Sequence, residues 1–241
     1  MSSKVDLIFA PTSTEVEAAR RATRSIPIVF GGHADPVGVG HVASLARPGG
    51  NITGQSLLQT ELVAKQLEIM KEALPQLKRI GVLAVVTAPS TRPALQATEA
   101  AAERLGIQVV ALPVRSREDF DTAFATRVRE RLNAFIAVPS PLIRSQRAAL
   151  AELSLKHRMP GIFGPRENVE AGGLMSYCAD PDDTTRRAAS YIARILKGAL
   201  PADLPVEQAS TYELVVNLKT AGALGITIPS SVLDRADQII R

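Results

Sequence analysis

Short aliphatic and β-branched runs alternate with amphipathic stretches along nearly the whole chain. Residues 5–10 are mostly apolar and read as a buried strand. Thr12 and Glu15 follow at capping-box spacing, which predicts a helix from there to about Arg24. Residues 26–30, with Pro27 near their start, predict a second strand. The connection over 31–54 is Gly-rich and holds Asp35-Pro36 and the turn-forming series Arg47 to Asn51. From Glu61 to Leu74, apolar residues at Leu62, Val63, Leu67, Ile69, Met70 and Leu74 share one face, so a helix closed by Pro75 is expected.

The alternation then becomes more regular. A strand over 79–86 and a turn at 87–91 lead into a helix from about Pro93 to Leu105, ended by Gly106. Strand 107–112, helix 118–132, strand 134–138 and helix 141–157 come next. Ser140 opens the last of these as N-cap, with Pro141 at the first helical position. A short strand at 161–163, a loop or helical turn to Ala171 and a strand at 173–177 complete the series. Asp180 to Asp183 then cap a helix ending at Gly198. The tail predicts a Pro-rich link from Pro201 to Pro205, a strand at 213–216 and short helices near 218–224 and 230–240.

Repeated strand–helix–strand units need crossover connections, so they build parallel sheets covered on both faces. Two smaller sheets accommodate the long Gly- and Pro-rich connections better than one large open sheet. Ligands of such sheets bind beyond the carboxyl ends of the strands. The residues that follow strands are therefore the candidates: Thr12, Ser13, Asp35, Thr53, Thr87, Ser140, Arg166, Glu167 and Tyr177.

Composition narrows the function classes. A chain of 241 residues, 46% hydrophobic and 22% charged, is not wholesale disordered and suits one or two globular domains. No apolar run approaches the ~20 residues of a membrane span, and the first ten residues lack the apolar core of a leader, so the chain as written is expected to carry no export signal. The net charge of +4 is spread along the chain and aromatics are only 4%, which argues against nucleic acid as a partner. Cys178 is the single cysteine and supports neither an intramolecular disulfide nor a multi-thiolate metal site. Gly31-Gly32 and Gly38-Val39-Gly40 follow a strand without the spacing of a phosphate cradle. There is no nucleophile elbow. His33, His41 and His157 lack zinc-site spacing, and His33 reads either as cleft-lining or, more simply, as an exposed loop histidine. Asp180, Asp182 and Asp183 precede a helix, where carboxylates cap free amides. These residues imply no catalytic set, no cofactor and no metal, hence not an enzyme.

The binding readings are stronger. Thr12-Ser13 and Ser140 each end a strand and begin a helix, where backbone N–H groups, a hydroxyl and the positive helix end suit a carboxylate. Arg166 offers a fork for a carboxylate and Glu167 an acceptor for an ammonium, with Asp35 as a second acceptor. Tyr177 supplies an amphipathic ring. Each has an ordinary use as a cap or surface residue; their shared place at strand ends points to a zwitterionic small molecule such as an amino acid.

A family resemblance emerges from several segments together. Ile26-Pro27-Ile28-Val29-Phe30, Asp35 to His41 and Ala46 to Gly54 resemble the substrate-binding proteins of ABC importers, in the tryptophan/tyrosine-type group. Residues 67–75, 170–177, 195–198 and 204–207 extend the likeness, and the ending over 213–221 and 224–229 is especially characteristic. The resemblance implies a periplasmic-binding-protein type I fold: α/β, two doubly wound parallel-sheet lobes joined by a hinge, with a small amino-acid-like or carboxylate ligand trapped between them. It places residues 1–56 plus 179–210 in lobe 1 and 57–178 plus 211–241 in lobe 2. The implied contacts are Thr12, Ser13, Asp35 and Thr53 from the first lobe, and Ser140, Arg166, Glu167 and Tyr177 from the second.

It further implies a membrane permease as partner and a periplasmic location. Two departures stand near the expected cleft: Thr87-Ala88-Pro89 where an Asn-Pro pair is frequent, and Cys178 where glycine is usual. They suggest a ligand other than the aromatic amino acids. The segments that precede residues 5–10 in such proteins are missing from the sequence, so lobe 1 is expected to be N-terminally truncated, and either unstable or completed by self-association. The alternatives are an intracellular sensor of the same fold, like the effector domain of lactose-repressor-type regulators, or a non-functional truncated fragment.

Overall fold

The computed structural model describes residues 5–241, apart from the side chain of Pro181. The chain runs β1 (Ile8–Thr12), α1 (Ser13–Ala22), β2 (Ile28–His33), β3 (Ile52–Ser56), α2 (Gln59–Ala73), β4 (Arg79–Val85), α3 (Thr91–Leu105), β5 (Gln108–Val114), α4 (Asp119–Glu130) and β6 (Ala134–Ala137). It continues through α5 (Pro141–Ser145), α6 (Arg147–Lys156), β7 (Gly161–Phe163), α7 (Glu167–Glu170), β8 (Met175–Ala179) and α8 (Pro181–Leu196). A 3-10 turn (Pro201–Asp203), β9 (Glu207–Gln208), β10 (Tyr212–Asn217), α9 (Leu218–Leu224), α10 (Ser230–Leu233) and β11 (Gln238–Ile240) complete it. These elements form two α/β units, Met1–Gln59 with Ala179–Thr211 and Thr60–Cys178 with Tyr212–Arg241. The chain thus passes between units three times.

In the first unit the sheet order is β1-β2-β3-β9, and each neighbouring pair is parallel. Strand β2 buries both faces, so its side chains alternate between two cores rather than between core and water. Ile28 and Phe30 join Ala10, Val16, Val42, Ile52 and Val206 on one side. Val29 packs on the other with Tyr191 and Ile195 of α8 and with Leu204. Helix α8 presents Ala188, Tyr191 and Ile195 at i, i+3 and i+7, and Asp180 caps it by accepting the Asp182 N–H at 2.8 Å. Gly54 has φ +149°, and a Cβ there would lie 2.1 Å from the Phe30 carbonyl oxygen; only glycine lets β2 and β3 meet at this point. The outer edge of β1 has no strand partner among the described residues, and Phe9 on it is 46% exposed.

The second unit has the order β11-β10-β8-β7-β6-β4-β5. Strand β4 pairs in parallel with β5 and β6, β6 with β7, β7 with β8, and β10 with β11. Helices cover both faces, which is why β4 and β6 read as unbroken apolar runs. Ile80, Ile136, Ile162, Met175 and Val216 pack with Leu67 and Met70 of α2. Leu83, Phe135 and Phe163 pack with Phe120 and Phe124 of α4, and Phe135 meets Phe124 and Phe163 edge-on at 5.1 and 5.4 Å.

Strand β3 lies at the close of the stretch expected as a connection over 31–54, and two expected elements differ. The single helix over 141–157 is two, interrupted at Gln146, whose φ of −102° and ψ of 19° leave the helical region. The last expected helix stops at Leu233, and β11 follows it. Asp237 explains this: its carboxylate accepts the Leu214 N–H and its own N–H donates to the Leu214 carbonyl, which seats Gln238–Ile240 beside β10. Among the described residues, no helix is long and apolar enough to cross a membrane.

Candidate functional site

Two groups of polar residues collect at strand carboxyl ends, one in each unit. In the first unit β1 ends at Thr12 with φ −132° and ψ 173°, and α1 begins at Ser13. The capping box forms as its spacing predicts. The Thr12 N–H donates to Glu15 Oε2 at 3.1 Å, the Thr12 hydroxyl donates to the same carboxylate, and the Thr14 N–H donates to Thr12 Oγ1 at 3.3 Å. The positive end of α1 therefore already holds a carboxylate, with which an incoming anion would compete.

Ser13 is buried. Its Oγ accepts the Ala34 N–H at 3.0 Å and lies 3.2 Å from His33 Nδ1. Asp35 follows β2, where its Oδ1 accepts the Gly38 N–H at 2.8 Å and its N–H donates to His33 Nδ1 at 3.1 Å. Thr12, Ser13 and Asp35 thus come together. Thr53 does not join them: it lies at the level of Val29, wholly buried, and its hydroxyl donates to the Leu204 carbonyl at 2.7 Å.

The histidines depart from the simpler reading of them. His33 is fully buried and His41 is 8% exposed, and their rings meet at Nε2···Nδ1 2.7 Å. His41 Nε2 is 2.8 Å from Glu17 Oε2. Burial, with His41 beside it, holds the His33 pKa down to about 3. The Arg21, His41 and Arg20 contacts hold the Glu17 carboxyl at about 2. Sequence reading also passed over Gln55 and Gln59, next to the end of β3. Both are buried, and neither amide atom of Gln55 nor the Nε2 of Gln59 has a partner. No local signal marks them, since β3 itself closes a stretch that reads as a Gly-rich connection.

In the second unit Ser140 caps α5, its Oγ accepting the Ile143 N–H at 3.2 Å. Arg166 begins the turn into α7 and reaches Glu213 at 3.5 Å and Glu170 at 3.9 Å. Glu167 Oε1 accepts from Arg144 at 3.1 Å, whereas its buried Oε2 has no partner. Asn168 beside it is 1% exposed with both amide atoms unpartnered, and it too went unnoticed in the sequence. The Tyr177 ring stacks on Tyr212 at 5.7 Å with 16° between planes, and burial raises the pKa of both phenols. Gln66 of α2 joins the end of β7 to the middle of β8 by donating to the Phe163 and Tyr177 carbonyls. Ser140, Arg166 and Glu167 follow carboxyl ends of strands of this sheet, whereas Tyr177, expected at the end of a strand over 173–177, sits in the middle of β8; the two charged residues are already ion-paired. Among the described residues, no three or more His, Cys, Asp or Glu are grouped to hold a metal ion.

Comparison with known proteins gives concordant results. A family model described as ABC transporter substrate binding protein matches residues 1–240. The tyrosine-binding protein of Clostridioides difficile is 27% identical over 224 residues, or 93% of this chain. The chain spans 64% of that relative's length. Among solved structures, an ABC domain in complex with L-Trp from Streptococcus pneumoniae is 30% identical with a TM-score of 0.89, covering 99% of this chain and 82% of the other. A conserved domain protein from Vibrio cholerae is 30% identical with a TM-score of 0.91, covering 98% and 79%.

Proposed function

Because the chain belongs to the ABC transporter substrate-binding protein family, we propose that it captures an amino-acid-type solute and delivers it to a membrane permease. The carrying observation is the match along residues 1–240, supported by relatives whose names specify tyrosine and L-Trp. The site favours a polar guest. Buried polar atoms are nearly always hydrogen-bonded, yet Gln55 in one unit and Asn168 in the other keep whole amides without partners beside strand carboxyl ends. A zwitterion that satisfies such groups gains more than an apolar molecule of equal size. Thr12, Ser13 and Asp35 are the proposed ligand contacts of the first unit and Ser140, Arg166, Glu167 and Tyr177 those of the second; Thr53 is not among them, its hydroxyl being bonded to the Leu204 carbonyl. No covalent step is involved, and the periplasmic side of a membrane is the proposed location.

The test is thermal unfolding with L-tyrosine, L-tryptophan and the other common amino acids. A ligand at 100 times its dissociation constant adds about 2.7 kcal/mol, which for a chain of this size raises the midpoint by roughly 5–11 °C. Gln55→Ala and Asn168→Ala are expected to abolish most of that shift and leave the ligand-free midpoint unchanged or higher, since each removes an unpartnered buried amide. Indifference of the wild-type chain to every amino acid would overturn the proposal.

A further inference from the structure

Ser13, His33, His41 and Glu17 form one continuous hydrogen-bonded chain within the first unit. It leaves the amino end of α1, passes through the end of β2 and the following segment, and returns to α1. Its protons fit in one arrangement. The Asp35 N–H donates to His33 Nδ1, so that nitrogen carries a lone pair. Neutral His33 then holds its proton on Nε2 and donates it to His41 Nδ1. His41 in turn carries its proton on Nε2 and donates to the Glu17 carboxylate. Because His33 Nδ1 carries a lone pair, the proton between Ser13 and His33 is the hydroxyl's own, and that lone pair is shared with the Asp35 N–H, while Ser13 Oγ accepts the Ala34 N–H.

An added proton has no place in this chain. On His33 Nδ1 it confronts the Asp35 N–H, which needs the lone pair of that nitrogen. On His41 Nδ1 it confronts the His33 Nε2–H, and shifting His33 to its other tautomer only moves the conflict back to Asp35. The charged and titratable groups around the pair are Glu17, with Arg20 and Arg21 bound to it, from α1, and Asp35 from the segment after β2. Phe30 packs against the His33 ring at 5.1 Å and leaves it no water.

We propose that His33 and His41 are positioning residues whose neutral pair latches the segment from His33 to His41 onto α1, fixing Ser13 and Asp35 for ligand, and that uptake of one proton opens the latch. The ligand arm rests on the function proposed above; the latch itself does not. Opened, His33 titrates near its ordinary value, whereas its burial in the closed latch resists protonation, so the ratio of open to closed rises about tenfold per pH unit below about 6.5.

The experiment combines three readings on the full chain between pH 7.5 and 4.5. Nitrogen-15 imidazole spectra are expected to show Nε2–H tautomers for both rings at pH 7.5. Exchange protection of the Ala34 and Asp35 amides, which donate into the latch, is expected to fall up to tenfold per pH unit beyond the intrinsic dependence. His33→Gln and His41→Gln are expected to flatten that dependence, because an amide side chain supplies donor and acceptor without titrating. Calorimetric affinity for L-tyrosine or L-tryptophan is expected to fall over the same pH range. An Nδ1–H tautomer at His33, or protection that ignores pH in the wild-type chain, overturns the latch. Affinity that stays constant while protection falls overturns its positioning role. If protection behaves as expected but neither amino acid binds at pH 7.5, the proposed function fails and the latch stands.

Discussion

Gln66 offers a direct test of how the second unit fixes its strands. Its side chain is fully buried, and Nε2 donates to the Phe163 carbonyl at 3.2 Å and the Tyr177 carbonyl at 2.8 Å. Arg166 and Glu167 follow the first of these strands, and Tyr177 itself lies on the second. Gln66→Leu keeps the volume and supplies no donor, so the buried Phe163 carbonyl and the part-buried Tyr177 carbonyl each lose a bond, offset in part by removal of the unpartnered Gln66 Oε1. At about 1–1.5 kcal/mol per bond, the loss is roughly 2–3 kcal/mol, and the midpoint of thermal unfolding falls by about 4–12 °C. Urea unfolding is the cleaner assay, with far-ultraviolet circular dichroism read beside tyrosine fluorescence. The sequence has no Trp and three Tyr, of which Tyr177 and Tyr212 form the stacked pair of this unit. The urea midpoint should fall at constant slope. Gln66→Glu is expected to be worse at pH 8 and to recover partly at pH 5, because a carboxylate only accepts whereas its protonated form donates once. A Gln66→Leu chain within about 0.5 kcal/mol of wild type would refute the reasoning, since it would mean that the two carbonyls are satisfied without the amide.

Three further outcomes are expected. Gly54→Ala drives a Cβ toward the Phe30 carbonyl and strains a backbone at φ +149°, so it should destabilise the first unit by more than about 3 kcal/mol, measured by urea unfolding. Acid should weaken the fold in a definite order. His33 titrates at about 3 when folded against an ordinary 6.5, so its contribution is intact above pH 6.5 and is lost toward pH 3, at up to about 1.4 kcal/mol per pH unit; Glu17, held at about 2, adds a second loss below about pH 4.5. A urea midpoint that stays flat from pH 7 to pH 4 would contradict this. Phe9→Lys, on the unpaired edge of β1, should reduce association at high concentration in sedimentation experiments while changing stability little.

Most of the architecture was legible because its signals are local. The apolar run at Arg79–Val85, the Thr12–Glu15 box, Ser140 ahead of Pro141 and Gly106 after α3 each act through neighbours within a few residues. What failed depended on distant partners. Gln238–Ile240 became a strand because Asp237 meets Leu214 across 23 residues. Thr53 looked like a strand-end hydroxyl, but its use is set by Leu204, far along the chain. The histidines illustrate the same limit. Nothing in the spacing of His33 and His41 announces a buried pair, because burial comes from α1 folding over β2 and supplying both Ser13 and Glu17. Unpartnered amides such as Gln55 and Asn168 are invisible for a further reason: a side chain becomes conspicuous only when everything around it is already satisfied.

The three passages of the chain between units impose an order of assembly. Strand β3 is finished by β9, and Thr53 bonds to Leu204 at a separation of 151 residues. At ribosomal speeds of about 5–20 residues per second, the first unit waits roughly 8–30 s for its closing strand and for α8. Over that interval Val29 lacks Tyr191, Ile195 and Leu204, Phe30 lacks Val206, and β3 has an open edge as well as β1. The second unit, except for β10, α9, α10 and β11, is synthesised meanwhile as one uninterrupted stretch from Thr60 to Cys178. It is therefore the unit positioned to fold first, and the early β1–β3 segment is the part of a nascent chain that a chaperone would hold and a protease would find.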